Sequence, residues 1–326
     1  MNTQLNLLPQ TDGNSDGGAA MSTSKDVSPR TNNVPNISPP SIASSAMLVC
    51  FSASQATLRK KDRSASAKVT GDNNAEIGVA SVNKHLLGDC AELTAIHKFV
   101  AKLRNVHAQM TMAWGDMGER LLPTAQYFKY HNVMTAGETE FWSLVNTFLS
   151  AYEWERSQAQ AKLGDLHNPA DYPTLAELER KFAFRLSYIP LPDAGDFRID
   201  VGNTAVAEIK QGYEEYYSAN LTDALNEVWT RLHTALTNMS ERLDYNDQLG
   251  DKKTFRDSLV SNVIDMVEVL DVCNVTGDSQ MAALKDKLSS AMYGITAEVL
   301  REDNYTRTET KRAVDQIISA LPSLEI

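Results

Sequence analysis

The chain has little cysteine and no long apolar run. Its 326 residues include three cysteines, Cys50, Cys90 and Cys273, which are odd in number and far apart. This spacing excludes a disulfide framework and predicts free thiols in a reducing compartment. No stretch approaches about 18 consecutive apolar residues, so we expect no membrane span. The first residues, Met1 to Asn6, lack a basic start and an apolar centre, so we expect no secretory signal.

The sequence also lacks motifs for nucleotide, metal and nucleophile chemistry. It contains neither G-x-x-x-x-G-K-[ST] nor G-x-G-x-x-G after a strand, and the segment 115–118 is typical of a loop. The six histidines show no H-E-x-x-H spacing, and no cysteine lies within four residues of another. Asp265 and Glu268 could share a helix face, but a hard cation needs more converging oxygens. We therefore predict no catalytic residue, no metal ligand and no cofactor, with an enzyme site assembled only by the fold as an alternative.

Basic residues are scarce overall but clustered at one place. Lys and Arg number 31 against 42 acidic residues, a net charge of −11, which disfavours broad non-specific binding of nucleic acid. The exception is the cluster Arg59, Lys60, Lys61 and Arg63. Its functional interpretation is a contact with phosphate or an acidic partner. We favour a solvated linker that follows a strand, because no aromatic residues are interleaved with these charges.

The first 45 residues differ in composition from the rest. Ser, Asn, Pro, Gly and Thr supply 26 of them, and no aromatic residue precedes Phe51. Such a segment cannot bury enough apolar surface to offset its ordering entropy, so we predict a disordered tail over 1–45. The alternative is a leader upstream of a true start at Met21 or Met47. We predict a single, mostly helical domain over 46–326.

Apolar residues recur every three or four positions from residue 89 onward, which predicts helices. The long helices are expected near 90–112, 138–163 and 204–243, and C-terminal helices near 255–272, 279–302 and 307–321. Candidate capping pairs are Asp89/Glu92, Thr135/Glu138, Thr174/Glu177, Thr254/Asp257 and Thr306/Glu309. The longest helix would span about 57 Å, and its apolar stripe needs a cover within the chain or from a partner.

Two short segments have the composition or alternation of strands. They lie near 46–53 and 182–190 and could pair into a small ribbon covered by helices on one face. The predicted fold is mainly α: an elongated helical bundle or long helical hairpin with a two-stranded β ribbon. In that hairpin, the helix over 141–163 would be the antiparallel partner of the longest helix.

Several sequence blocks resemble a domain-of-unknown-function family of tailed bacteriophages and mobile elements, over roughly residues 47–320. The blocks are Trp114–Phe128, Asp171–Pro173, Lys181–Phe182, Ile189–Pro192, Asp196–Asp200 and Phe255–Val260. The family has no assigned reaction, so no catalytic residue is carried over. In some members' genomes the gene lies near a MoxR-type AAA+ ATPase and a von Willebrand A-type protein, and the resemblance implies an association with such an assembly.

These observations together favour a non-enzymatic phage protein that acts as a scaffold or interaction component. We expect it to bind protein partners or itself, in the cytoplasm of the bacterial host during infection. The alternative is an accessory factor in phage DNA replication or recombination. That factor would contact single-stranded DNA through Arg59, Lys60, Lys61 and Arg63.

Overall fold

The computed structural model describes residues 40–191, 203–245, 253 and 256–322. Of the predicted tail over 1–45, residues 1–39 lie outside this part of the chain. Residues Pro40–Ala43 form a short helix, α1, and Ile42 is fully buried in the core. Ordered packing therefore begins before residue 46, because an isoleucine near the end of the predicted tail supplies apolar surface to the core.

The described residues are mainly helical with a small antiparallel sheet, as the sequence predicts. The strands are β1 (Ala46–Ser54), β2 (Arg59–Asp62), β3 (Val82–His85), β4 (Met112–Ala113), β5 (Glu119–Pro123) and β6 (Ala183–Pro190). The remaining helices are α2 (Arg63–Asp72), α3 (Ala91–Met110), α4 (Tyr127–Leu163), α5 (Leu175–Glu179), α6 (Asn203–Leu243), α7 (Ser258–Cys273), α8 (Ser279–Met292), α9 (Ala297–Glu302) and α10 (Asn304–Ser319). In the part of the chain that the structure describes, no helix is both long and apolar enough to cross a membrane.

The sheet contains the predicted ribbon and two further strands. β1 pairs antiparallel with β6, with Leu48 opposite Ile189, which confirms the pairing of the two predicted strands. However, the sheet has four strands in the order β4-β5-β1-β6, and β2 and β3 form a separate two-stranded sheet. β4 and β5 are too short to show alternation, and their connection turns through Gly115 and Gly118, both at positive φ.

Helices pack on both faces of the four-stranded sheet. Val49 and Leu122 lie on the face that packs against α3 and α4, in a cluster with Tyr130. Leu48 and Leu121 lie on the opposite face, in a core shared with α6, α7, α8 and α10. The predicted hairpin of α4 with α6 is therefore wrong: α4 packs mainly against α3, and α6 packs against α7 and α10. The alternation of apolar side chains along β1 gives each long helix its own face of the sheet.

The apolar stripe of α6 is covered within the chain itself. From Tyr217 to Leu243 its apolar side chains are buried against α7, α10 and the sheet. The buried members are Tyr217, Leu221, Ala224, Leu225, Val228, Trp229, Leu232, Leu236, Met239 and Leu243. This part of the helix therefore needs no second protein to shield it from water.

Some helix boundaries follow the predicted capping residues and others do not. Thr174 and Glu177 form the predicted capping box of α5, with Thr174 N donating to Glu177 Oε2 at 2.8 Å. The predicted start at Thr135 is wrong, because α4 already begins at Tyr127. The single helix predicted over 279–302 divides into α8 and α9, because Gly294 takes a φ of +71° between them.

Two further caps are displaced along the chain. α10 is capped by Asp303, whose carboxylate accepts from Tyr305 N at 3.0 Å, so the predicted cap at Thr306 lies inside the helix. The N-cap position of α3 is Cys90 and not Asp89. In the pair Thr254/Asp257, Asp257 precedes α7, while residue 254 lies outside the described residues.

Candidate functional site

The predicted basic cluster lies on a strand and a helix start. Arg59, Lys60 and Lys61 belong to β2, and Arg63 is the first residue of α2. The interpretation of this cluster as a linker is therefore wrong, because β2 pairs with β3 in a register that places Lys60 opposite Lys84. The four residues of β2 show no apolar alternation, so the sequence alone does not predict a strand there. β2 is extended because it pairs with β3.

Lys60 and Lys84 are held by a buried carboxylate. Both point to the same side of the two-stranded sheet, where Lys60 Nζ lies 2.6 Å and Lys84 Nζ 2.8 Å from the oxygens of Asp171. The side chains of Lys84 and Asp171 are each only 6% exposed. The hydrogen bond from Lys60, supported by Lys84, lowers the pKa of Asp171 below its usual value. These two lysines therefore tie β2 and β3 to the segment around residue 171.

Asp62 completes this charge cluster, in which Lys84 and Asp171 are buried and Lys60 is half-exposed. Its carboxylate accepts from Ala65 N at 2.9 Å as the N-cap of α2, and it lies 3.1 Å from Lys84 Nζ. Lys84 also donates to Leu166 O at 2.7 Å, so it is saturated with partners. Two lysines and two aspartates thus balance each other, and the cluster serves the fold.

The other basic residues of the cluster face solvent. Arg59, Lys61 and Arg63 are exposed, and none of them forms a side-chain ion pair or hydrogen bond within the described residues. Of the four predicted contact residues, three can therefore contact an anion, whereas Lys60 forms an ion pair with Asp171.

An open groove of about 440 Å³ lies beside this cluster. It is lined by Arg59, Lys60 and Lys181 on its charged side and by Leu58 and Tyr172 on its apolar side, among others. Leu58 has a φ of +45°, which a leucine rarely adopts, and its carbonyl accepts from Leu86 N at 2.8 Å. The charge pattern contains no signal for Lys181, because it lies far from the basic cluster along the chain, although Lys181–Phe182 is one of the blocks that carry the family resemblance.

A second group of ionisable side chains meets between α3 and α4. Ligand atoms of Cys90, Glu92 and Glu155 lie within 4.8 Å of one another. Glu155 accepts from Lys162 Nζ at 3.0 Å, and burial raises the pKa of the Cys90 thiol, so the thiol is protonated at neutral pH. Cys90 Sγ also donates to Glu92 Oε2 at 3.5 Å, so all three side chains already have partners within the fold.

The three cysteines are free thiols in the structure, as predicted. Burial raises the pKa of Cys273 to about 11, and it also raises the pKa values of Cys50 and Cys90. A nucleophilic cysteine needs a lowered pKa, so none of the three has the electrostatics of an activated thiolate.

Part of α6 extends beyond its buried stripe. We call residues 208–216 the α6 entry segment. Ile209, Tyr213 and Tyr216 recur at i, i+4 and i+7 on one face of it, and Ile209 and Tyr216 are 40% and 49% exposed. A Cβ placed on Gly212 would meet no heavy atom within 4 Å. The segment also carries three acidic residues, Glu208, Glu214 and Glu215. Tyr213 packs against the core, whereas Ile209 and Tyr216 are exposed apolar side chains of the kind that insert into a groove of another protein.

Comparison with known proteins adds no functional assignment to this geometry. No protein-family model matches the chain, and neither the curated proteins nor the solved structures contain a significant match.

Proposed function

We propose that the chain is a non-enzymatic interaction component that binds another protein through the α6 entry segment. The observation that carries this proposal is the exposure of the apolar side chains of Ile209 and Tyr216 on the helix face where Tyr213 packs against the core. It lies on the same continuous helix whose following turns, from Tyr217, are buried in the core. Helices that dock into grooves use anchors at this i, i+4, i+7 spacing.

The helical conformation of the entry segment is pre-organised because the segment continues into the buried turns of α6. A helical peptide of this length is marginal in water, since nucleation is costly. Here the buried turns of α6 supply the nucleus, so little conformational entropy has to be lost when a partner binds. Glu208, Glu214 and Glu215 outnumber the one cation of the segment, Lys210, which lies 4.0 Å from Glu214, and the net negative charge favours a partner whose apolar groove has a basic rim.

The resemblance to a phage family suggests which partners to test first. A MoxR-type AAA+ ATPase and a von Willebrand A-type protein are the candidates, in the cytoplasm of the bacterial host during infection. A second copy of the chain is the remaining candidate, and light scattering of the purified protein reports self-association directly.

Two variants of equal charge test this proposal. Ile209→Lys places a cation on the apolar face, and Gln211→Lys places the same charge on the opposite side of the same helix. Crosslinking mass spectrometry in infected cells should show partners that are captured by the parent protein and by Gln211→Lys. Crosslinks to those partners should be lost from Ile209→Lys. Equal capture by the two variants would contradict the proposal.

A second function is favoured by the exposed cations of β2 and α2. Arg59, Lys61 and Arg63 have no internal partner in the described structure and could contact the phosphates of single-stranded DNA in replication or recombination. Filter binding of an oligonucleotide at two salt concentrations tests this function. A steep salt dependence that Lys61→Glu flattens would support it, and no binding at low salt would remove it.

A further inference from the structure

The groove beside β2 contains two acids that already accept hydrogen bonds within the fold. Asp171 accepts from both Lys60 and Lys84, at 2.6 Å and 2.8 Å. Glu177 accepts from Thr174 N and Thr174 Oγ1, at 2.8 Å and 2.9 Å, as part of its capping box. Lysine side chains therefore neutralise Asp171, whereas the donors to Glu177 are uncharged and Glu177 keeps its negative charge.

The cations of the groove are not committed in the same way. Arg59 and Lys181 are exposed, and neither forms a side-chain hydrogen bond or ion pair within the residues that the structure describes. Three cations line the groove, Arg59, Lys60 and Lys181, against two acids, Asp171 and Glu177, and this excess of positive charge favours an anionic ligand. Lys60 adds positive charge at the same wall, although it is bonded to Asp171.

The groove is open and mainly polar, and it is large enough for a small ligand. Its volume, about 440 Å³, falls within the range of about 300–1,000 Å³ that is typical of small-molecule pockets. Leu58, Leu86 and Tyr172 provide an apolar wall, and Tyr172 is fixed by a hydrogen bond from its hydroxyl to Leu86 O at 2.7 Å. Leu58 is held at a φ of +45°, and strained backbone of this kind concentrates at ligand sites.

We propose that this groove binds a small organic phosphate of about the size of a nucleoside monophosphate. Arg59 and Lys181 contact the phosphate, and the organic part lies against Leu58 and Tyr172. This site lies on different elements from the α6 entry segment, so it does not depend on protein binding there. It also differs from a diffuse nucleic-acid surface, because Lys61 and Arg63 do not line it.

Titration calorimetry of the full chain at low salt tests this proposal, with AMP, adenosine and inorganic phosphate as probes. AMP should bind, inorganic phosphate should bind more weakly, and adenosine should not bind measurably. Arg59→Ala and Lys181→Ala should each weaken AMP binding about tenfold, because each removes a charge-assisted contact. Lys61→Ala is the matched control, since it removes an equally exposed cation that lies outside the groove.

Three results would overturn the proposal. These are no heat of binding with AMP, equal weakening by Lys61→Ala and Lys181→Ala, or binding of a single-stranded oligonucleotide without binding of AMP. The last result would instead support the nucleic-acid function of the exposed cations. Circular dichroism of each variant shows that the fold is retained, which is expected because Arg59, Lys61 and Lys181 are exposed.

Discussion

His107 lies in apolar surroundings that oppose a positive charge on its ring. It is only 7% exposed, and its Nδ1 lies 2.7 Å from the hydroxyl of Tyr130 on α4. Burial, with a smaller contribution from the Arg120 guanidinium, lowers the pKa of His107 from 6.5 to about 4. Burial likewise raises the pKa of Tyr130, so both groups stay neutral across the physiological range. The hydrogen bond between His107 and Tyr130 joins α3 to α4. Neither group has a pKa near neutral pH, which proton transfer would need.

This pKa shift predicts a defined pH dependence of stability. Between pH 6.5 and about pH 4 the unfolded chain binds a proton at residue 107 that the folded chain does not, so acidification destabilises the fold. Neutral His107 makes its full contribution to the free energy of unfolding above pH 6.5. This contribution is about 3 kcal/mol, and it is lost as the pH falls to 4. His107→Gln should remove this part of the pH dependence, as measured by urea unfolding at pH 7 and pH 4.5.

The matched control for this prediction is His85→Gln. His85 is exposed on β3, so its replacement should leave the difference in free energy of unfolding between the two pH values unchanged. If His107→Gln and the parent protein lose the same free energy of unfolding on acidification, burial of His107 is not the cause of the pH dependence.

At the scale of elements, the long periodic signals were predictable from sequence and the short ones were not. The stripe of α6 and the alternation of Phe182, Phe184 and Leu186 each extend over enough residues to show their period. β4 has two residues and β2 has four charged or polar residues, so neither contains a pattern that distinguishes a strand from a loop. The start of α4 was predicted at the wrong residue because Thr135 and Glu138 have the spacing of a capping pair, although they lie inside the helix.

Gly137 on α4 lies directly against Leu103 on α3. A Cβ at this position would lie 2.8 Å from Leu103 Cδ1 and 3.0 Å from Cδ2 of the same side chain. The absence of a side chain therefore lets the two helices pack together there, and the gain in packing offsets the poor helix propensity of glycine. Gly212 on α6 is also helical, but nothing lies within 4 Å of its Cβ position.

This contrast predicts opposite effects for the same substitution. Gly137→Leu should lower the free energy of unfolding by about 1–3 kcal/mol, because the larger side chain overpacks the contact with Leu103. Gly212→Leu should raise it by about 0.5–1 kcal/mol, because leucine is the better helix former and meets no neighbour. Denaturant unfolding of both variants measures the difference, and equal shifts would show that Gly137 is not a packing constraint.

At the scale of the whole domain, the sheet joins two apolar cores that the sequence does not show as neighbours. β1 contributes Val49 to the core with α3 and α4 and Leu48 to the core with α6. The candidate groove is likewise formed by residues that are far apart in sequence, since Asp171 lies 111 residues from Lys60 along the chain. Spacing could identify the basic cluster but not the acid that holds Lys60, because contacts of this separation depend on the fold.

One ion pair links these cores through polar groups. Arg120 on β5 donates to both carboxylate oxygens of Glu227 on α6, at 2.8 Å and 2.9 Å, and to Thr111 Oγ1 at 2.6 Å. The backbone N–H of Ala113 on β4 donates to the same carboxylate. The side chains of Arg120 and Glu227 are 19% and 28% exposed, so this ion pair is partly shielded from water. Glu227 therefore anchors the β4–β5 hairpin on α6.

Glu227→Gln tests whether this anchor stabilises the domain as a unit. The substitution leaves the partly buried guanidinium of Arg120 without its counter-charge, so the free energy of unfolding should fall by about 1–2 kcal/mol. Glu215→Gln, on the exposed entry segment of the same helix, should change it by less than about 0.5 kcal/mol. In hydrogen exchange, Glu227→Gln should lower the protection of β5 amides together with those of α6. Loss of protection confined to the β4–β5 hairpin would mean that the two cores are held together by the apolar packing of β1 alone.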